Sequence, residues 1–451
     1  MALQRLALLS LALAAACARN PRPAAPPYTI VDDPALTQAV AETRERFLAM
    51  VDYDRFDVCV LLPDPASGGR VWRRGSFGGD ALAYPASCVK LPYLVAAMHF
   101  AREHGLPADW LDEHVRPMIV VSSNESTGSV VDAITGAPNL ASAEIDSREF
   151  RRWLHARRYT ERFLAQHGLR GAQTIFNKTY PSNSGESPQG AEELARVNFG
   201  RNMMCPDLSA ALMLAIRHGG LEAWAQPYMR SLLRRPRWDS GAFLANGLPP
   251  GTINENKPGA AYDTVEDIAW LLFPDGGEMV IAVYTNGLGK NGRLGTFTSL
   301  LIERLGLDAN FPPRARVSPG NPGFATHGEW TPGPDAPDRF GPLPRTARGG
   351  RGEATATWDL AVPEDGVYEV CVWFPRGESH ATDAPFFVES AEGRTGPIEI
   401  NQRVRGARWV RLGDFRFGAG GGRVTLTNDV SAESSVVADT VEARRWPDPR
   451  P

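Results

Sequence analysis

Lysine is the scarcest chemical resource in this chain of 451 residues: Lys90, Lys178, Lys257 and Lys290 stand against 44 arginines. Arginine keeps its proton in any folded protein, whereas a lysine stripped of water surrenders it and becomes a base. So strong a bias narrows lysine-based chemistry to four positions. Lys90 draws notice because apolar Val89, Leu91, Tyr93 and Leu94 surround it. A net charge of −4 without a basic block excludes a nucleic-acid-binding surface.

Cysteine is sparse as well. Cys59, Cys88, Cys205 and Cys371 form neither a C-x-x-C pair nor a metal-ligand pattern, and nothing selects a disulfide partner among them. The eight histidines make no H-E-x-x-H, and neither a G-x-S-x-G elbow nor a glycine-rich phosphate loop occurs. No metal or other cofactor is expected. Long apolar runs are missing too, which excludes a transmembrane helix. The run Leu6 to Ala16 after Met1–Arg5 instead has the form of a secretory signal. Leu13-Ala14-Ala15-Ala16-Cys17 resembles a bacterial lipobox, which implies export to the periplasm or outer envelope with Cys17 lipid-anchored; ordinary cleavage at a small-residue site is the alternative. Oligomeric state is left open.

The length implies two domains. After the signal (1–17), a Pro/Ala-rich tether takes 18–34. The first domain, 35–308, reads as a helix over Leu36–Val51 and a hairpin of Phe56–Leu62 and Arg70–Phe77 around Gly68-Gly69. A helix-rich block follows to about Leu233, including one helical stretch over Ser147–His167. Strands at Thr252–Ala261, Asp267–Phe273 and Glu278–Thr285 and a helix at Thr296–Leu305 complete it. This is α+β, a helical block against an antiparallel sheet. A Pro/Gly linker takes 309–325, and 326–447 holds only short strands, an all-β sandwich module.

Three short patterns in the first domain carry chemistry. Ser87 and Lys90 open an apolar helix three residues apart, so one turn stacks hydroxyl and amine, and a desolvated lysine can take the serine proton. Ser122-Ser123-Asn124 follows apolar Met118–Val121, and Asn256-Lys257-Pro258-Gly259 lies in the first late strand. In this order they resemble the S-x-x-K, S-D-N and K-T-G motifs of the penicillin-recognising serine enzymes, above all class A β-lactamases, over residues 35–308. The resemblance implies a serine β-lactamase/DD-peptidase-like fold. It makes Ser87 the acylated nucleophile, Lys90 its proton acceptor, Ser122 a proton relay to the leaving group and Asn124 the orienter of the substrate amide. Lys257 would supply positive charge, and the N–H groups of Ser87 and Ala260, next to Gly259, an oxyanion hole. Two motifs depart from the pattern. Ser123 replaces the aspartate, and Pro258 removes the threonine hydroxyl that binds a substrate carboxylate. For a deacylating carboxylate, Glu186, Glu192 and Glu193 lie in the right part of the chain, Glu186 first among them, but none sits in a recognisable loop motif.

The second module resembles the golvesin/xanthan-lyase type of carbohydrate-binding-like domain through Ala356-Thr357-Trp358, Gly366–Val370, Val372-Trp373-Phe374, Ala381–Ala384, Asn401-Gln402, Trp409–Gly413 and Val437-Ala438-Asp439. That implies attachment to a polysaccharide or envelope, although tryptophans at alternating strand positions are more often core than sugar platforms. The expected function is acyl-enzyme hydrolysis of a β-lactam or related amide, the substrate being a small molecule or a peptidoglycan stem. The alternatives are a D-alanyl-D-alanine peptidase or penicillin-binding protein, an esterase, and a turnover-poor envelope-glycan-binding protein.

Overall fold

The computed structural model describes residues 26–51, 53–173, 175–180, 187–287 and 293–448. The signal segment with Cys17, the first part of the tether, Glu186 and Lys290 lie outside the described residues.

The first domain is built on a six-stranded sheet: β1 (Thr29–Asp32), β2 (Arg55–Pro63), β3 (Val71–Phe77), β4 (Ile253–Ala261), β5 (Thr264–Leu272) and β6 (Glu278–Asn286), in the order β1-β3-β2-β6-β5-β4. Only the β1–β3 pair is parallel. The two-residue side-chain period sorts β2 between two cores. Val58, Val60 and Leu62 face Leu36, Val40 and Phe47 of the helix Pro34–Leu48 and Phe297 and Leu301 of the helix Leu294–Leu305. Cys59 and Leu61 face the helices Lys90–Glu103 and Pro206–Arg217. Gly68 and Gly69, with φ of 61° and 82°, make the left-handed turn into β3. Cys59, Cys88, Cys205 and Cys371 are all free and buried.

Three boundaries differ from the sequence reading. Residues 29–32, read as tether, form β1, tied down where Asp33 accepts from the Ala35 and Leu36 amides at the start of the next helix. The Ser147–His167 stretch is two helices, Arg148–Arg157 and Tyr159–Gln166, meeting at Arg158. Within 309–325, read as linker, Arg314–Val317 is a strand paired with Thr440–Arg445, with Ala315 and Val317 buried in the second domain.

That second domain stacks two main sheets. One orders Phe324–His327, Thr355–Leu360, Gly422–Thr427, Ala384–Ser390 and Gly393–Ile400; the other orders Val410–Phe417, Gly366–Trp373, Thr440–Arg445 and Arg314–Val317. Trp358, Trp373 and Trp409 are buried, and Trp358 and Trp373 donate to the Asp439 and Asp338 carbonyls at 2.9 and 2.8 Å. They are core residues. Gln402 both donates to Val437 O and accepts from its N–H, and Asp439 accepts from the Phe340 and Gly341 amides, so these motif residues latch the sandwich.

The two domains share a core. Cys371, Trp373 and Trp409 pack with Leu248, Phe273 and Leu300 of the first domain. Arg237, on the loop before β4, donates to Leu248 O and to both carboxylate oxygens of Glu369, which is fully buried and also takes the Trp238 indole N–H at 2.7 Å. Arg293, Thr296 and Arg444 add hydrogen bonds to backbone carbonyls across the same boundary. Removing one partner of a buried ion pair strands the other, at a cost of about 3–5 kcal/mol. Glu369→Ala should therefore lower the urea midpoint of both domains together; Arg237→Met/Glu369→Leu, which removes both charges, should recover most of the loss.

Candidate active site

Ser87 lies on a turn tighter than an α-helix. Ala86–Val89 is 3₁₀, where residues three apart eclipse, and the α-helix Lys90–Glu103 continues from it. Ser87 Oγ therefore stands 3.1 Å from Lys90 Nζ. Lys90 is fully buried, and its amine also reaches Ser122 Oγ at 3.1 Å, Asn124 Oδ1 at 2.8 Å and the Ser122 carbonyl. A neutral amine has two N–H groups and one lone pair. The Ser122 and Asn124 carbonyl oxygens, which can only accept, take the N–H groups and leave the lone pair to a hydroxyl proton. Burial, reinforced by the nearby Lys257 charge, lowers the Lys90 pKa to about 6.

Ser122 links the helices Asp112–Val120 and Asn124–Thr135 in a left-handed conformation, φ 60°. Such a backbone is unfavourable for serine and here aims carbonyl and hydroxyl at the same amine. Ser123 caps the second helix by accepting from Ser126 N at 3.1 Å. Lys257 is also fully buried; its Nζ donates to Ser122 Oγ at 3.0 Å and to Pro258 O at 2.8 Å. Burial lowers its pKa to about 8. Ser122 Oγ thus sits between two lysines.

β4 is an edge strand, the position that tolerates a proline without losing a ladder bond. Pro258 N faces the free edge, and Ala260, two residues on, turns its N–H the same way. Gly259 lies directly against the Ser87 turn: a Cβ there would stand 3.1 Å from Ser87 N and from Pro85 O. Glycine lets the two backbones meet, which brings the Ser87 and Ala260 amides to one cleft. That cleft, about 360 Å³, is lined by Ser87, Asn124 and Ala260 together with Asn177 and Arg201.

Of the expected residues, Ser87, Lys90, Ser122, Asn124, Lys257, Gly259 and Ala260 come together. The carboxylates do not. Glu192 is buried in an ion pair with Arg157, whose guanidinium also bonds Asp132 and the Ala137 carbonyl. Glu193 is exposed on the helix Gly190–Phe199, and Glu186 lies outside the described residues. No Asp or Glu lines the cleft among the described residues, and no group of three His, Cys, Asp or Glu there is disposed to hold a metal. Two features escaped sequence reading: the Tyr84–Arg201–Tyr262 cluster at the cleft rim, assembled from three separate segments, and Glu266 behind β4.

Residues 110–306 match the profile of the Beta-lactamase enzyme family, and residues 318–445 that of the Golvesin C-terminal domain. Over 436 residues the chain is 32% identical to golvesin of Dictyostelium discoideum, an alignment spanning 93% of this chain and 75% of that protein. The chain belongs to the golvesin family. Its first domain has the β-lactamase-like serine hydrolase fold. Among solved structures, a β-lactamase from Sphaerobacter thermophilus is 20% identical, covering 60% of this chain and 97% of that one with a TM-score of 0.41. Paenibacillus xanthan lyase is 18% identical over 45% of this chain with a TM-score of 0.29, and the match takes in only 23% of that longer enzyme.

In this golvesin-family site, Glu266 stands opposite Gly259 and is fully buried, and neither carboxyl oxygen has a hydrogen-bond partner among the described residues. Burial holds its pKa well above the usual 4.5, so the folded protein keeps it protonated where the unfolded chain ionises it. Its contribution to stability is full below the unfolded value and is lost as pH rises through the folded one. The Tm of Glu266→Gln should accordingly rise relative to the parent as pH goes from 4 to 8, followed by calorimetry.

Proposed function

We propose that the protein is a serine acyl-transfer hydrolase that forms a covalent acyl-enzyme at Ser87 and releases it slowly. The observation that carries this reading is the buried Lys90 amine, 3.1 Å from Ser87 Oγ, with both its N–H groups claimed by carbonyl oxygens. Ser87 Oγ attacks an amide, lactam or ester carbonyl carbon as its proton passes to Lys90 Nζ. The resulting oxyanion is met by the Ser87 and Ala260 N–H groups. As the tetrahedral centre collapses, the leaving group takes the Ser122 hydroxyl proton, and Lys90 replaces it across the 3.1 Å contact. Release needs an activated water. With no carboxylate lining the described cleft, Lys90 is the base at hand, which supports a long-lived acyl-enzyme.

With nitrocefin the enzyme should give a burst stoichiometric with protein and then turn over slowly. A fluorescent penicillin should label the parent and not Ser87→Ala; labelling that survives this change would sink the reading. Lys90→Ala should slow acylation by roughly 10²–10⁴-fold. Acylation should rise with pH through about 6, as Lys90 loses its proton, and fall above about 8, as Lys257 loses its charge; stopped-flow burst rates across pH 5–10 test both limbs.

A further inference from the structure

Glu266 is a buried acid that the acyl-transfer steps leave unused, and it lies beneath the turn that carries Ser87. Side chains along β5 alternate between the two cores: Val265, Ala269 and Leu271 enter one, Ile268 and Trp270 the other. The alternation puts Glu266 on the side of Ile268 and Trp270, where Cys88 and Val89 of the Ser87 turn are packed. Its register partner on β4 is Gly259. The point that a Cβ on Gly259 would take lies 3.0 Å from Glu266 Oε2, 3.1 Å from Pro85 O and 3.1 Å from Ser87 N. The missing side chain is what lets the carboxyl reach the underside of the turn.

The groups that face this carboxyl are committed elsewhere. Pro85 O can only accept, so an ionised Glu266 would meet an oxygen it cannot bond. From β2, Arg55 gives its guanidinium N–H groups to Asp57 and to the Ala81 and Leu82 carbonyls. From the Ser87 turn, Cys88 Sγ donates to Lys257 O at 3.2 Å, and from β6, Tyr284 Oη is hydrogen-bonded to Ser209 Oγ at 2.8 Å. The Tyr84 ring, on the loop before the turn, is stacked with Arg201. Thr264 is near enough to favour the charged form, yet its hydroxyl donates to Ala261 O at 3.0 Å. Burial outweighs these influences and keeps the acid neutral. Asp267, next along the strand, takes the opposite side, where it accepts from Asn256 Nδ2 at 2.8 Å and Leu244 N at 3.0 Å.

We propose that Glu266 governs the oxyanion hole by its charge: the neutral carboxyl leaves the hole open to an anion, and ionisation at alkaline pH opposes the oxyanion. It is a positioning residue, acting through the Ser87 turn, and its role rests on the Ser87 acylation reading. The oxyanion would gather on the cleft side of the Ser87 and Ala260 amides. A unit negative charge behind the same backbone, held where water does not screen it, repels that developing charge. At the effective dielectric of a buried site and a separation of several ångströms, the repulsion slows acylation on the order of 10–100-fold.

Glu266→Gln and Glu266→Met both remove the ionisable group at little change of length. The p-nitrophenol burst from p-nitrophenyl acetate is followed by stopped flow in each variant and in the parent from pH 5 to 10. Spontaneous hydrolysis is subtracted, and near-ultraviolet circular dichroism gives the folded fraction at each pH. Dividing the variant rate by the parent rate cancels the Lys90 and Lys257 limbs, which all three proteins share. The infrared carbonyl stretch of the protonated acid, assigned by its loss in Glu266→Gln, reports independently where Glu266 ionises in the folded parent. The quotient should be level below that pH and rise on the order of 10–100-fold above it in both variants. A merely structural role would scale the rate alike at every pH. Ser87-dependent release with a level quotient, or one that falls as Glu266 ionises, overturns the proposal alone, as does an acid still protonated at pH 10. Nitrophenol release that survives Ser87→Ala overturns the acyl-enzyme reading, and the role of Glu266 with it.

Discussion

Exclusion of water from Lys90 is the condition on which the rest of the site depends. A lysine amine in solution stays protonated near pH 7 and cannot take a serine proton; the same amine enclosed by protein, with a second cation nearby, is neutral for much of the time. The packing that encloses it is the domain's main core. The helix Lys90–Glu103 is buried without a break from Lys90 to His99, so Lys90 stands at the start of a helix enclosed on every side. Lys257 then serves two ends at once. It orders Ser122 Oγ, and by its charge keeps Lys90 from regaining a proton.

The same enclosure would separate the two halves of the proposed reaction. Forming an acyl-enzyme needs a base for the serine and donors for the oxyanion, and both come from short segments that meet backbone to backbone at Gly259. Releasing it needs a base that can reach a water on the acyl side. The described wall there offers amides, phenols and cations in place of carboxylates.

The gathering of Ser87, Lys90, Ser122 and Asn124 was legible in the sequence because it follows from residue types at fixed local spacing: a serine and a lysine on one turn, and a serine and an asparagine at one helix start. The rarity of lysine raised the contrast. The Tyr84–Arg201–Tyr262 cluster was not legible, because no local pattern links three rim residues drawn from separate segments. Short edge strands were missed for a related reason. Thr29–Asp32 and Arg314–Val317 have four residues each, and tertiary partners define them. The shared core was hidden because Trp373 and Trp409 alternate along their strands as any sandwich-core residue would; sequence gives no sign of which neighbour covers them. Glu266 reads as an ordinary polar position in a strand until Gly259 is seen beside it.

The ion pair between Arg237 and Glu369 also has a mechanical meaning. Glu369 belongs to the second domain, Arg237 to the loop leading into β4, and the Gly241 carbonyl of that loop takes the Asn256 amide immediately before Lys257. A pull or twist on the second domain is therefore transmitted along a chain of hydrogen-bonded contacts to the strand that supplies one wall of the cleft beside Ser87, with no slack tether to absorb it. Wherever the second domain is held, the mouth of the cleft keeps a fixed bearing to that point.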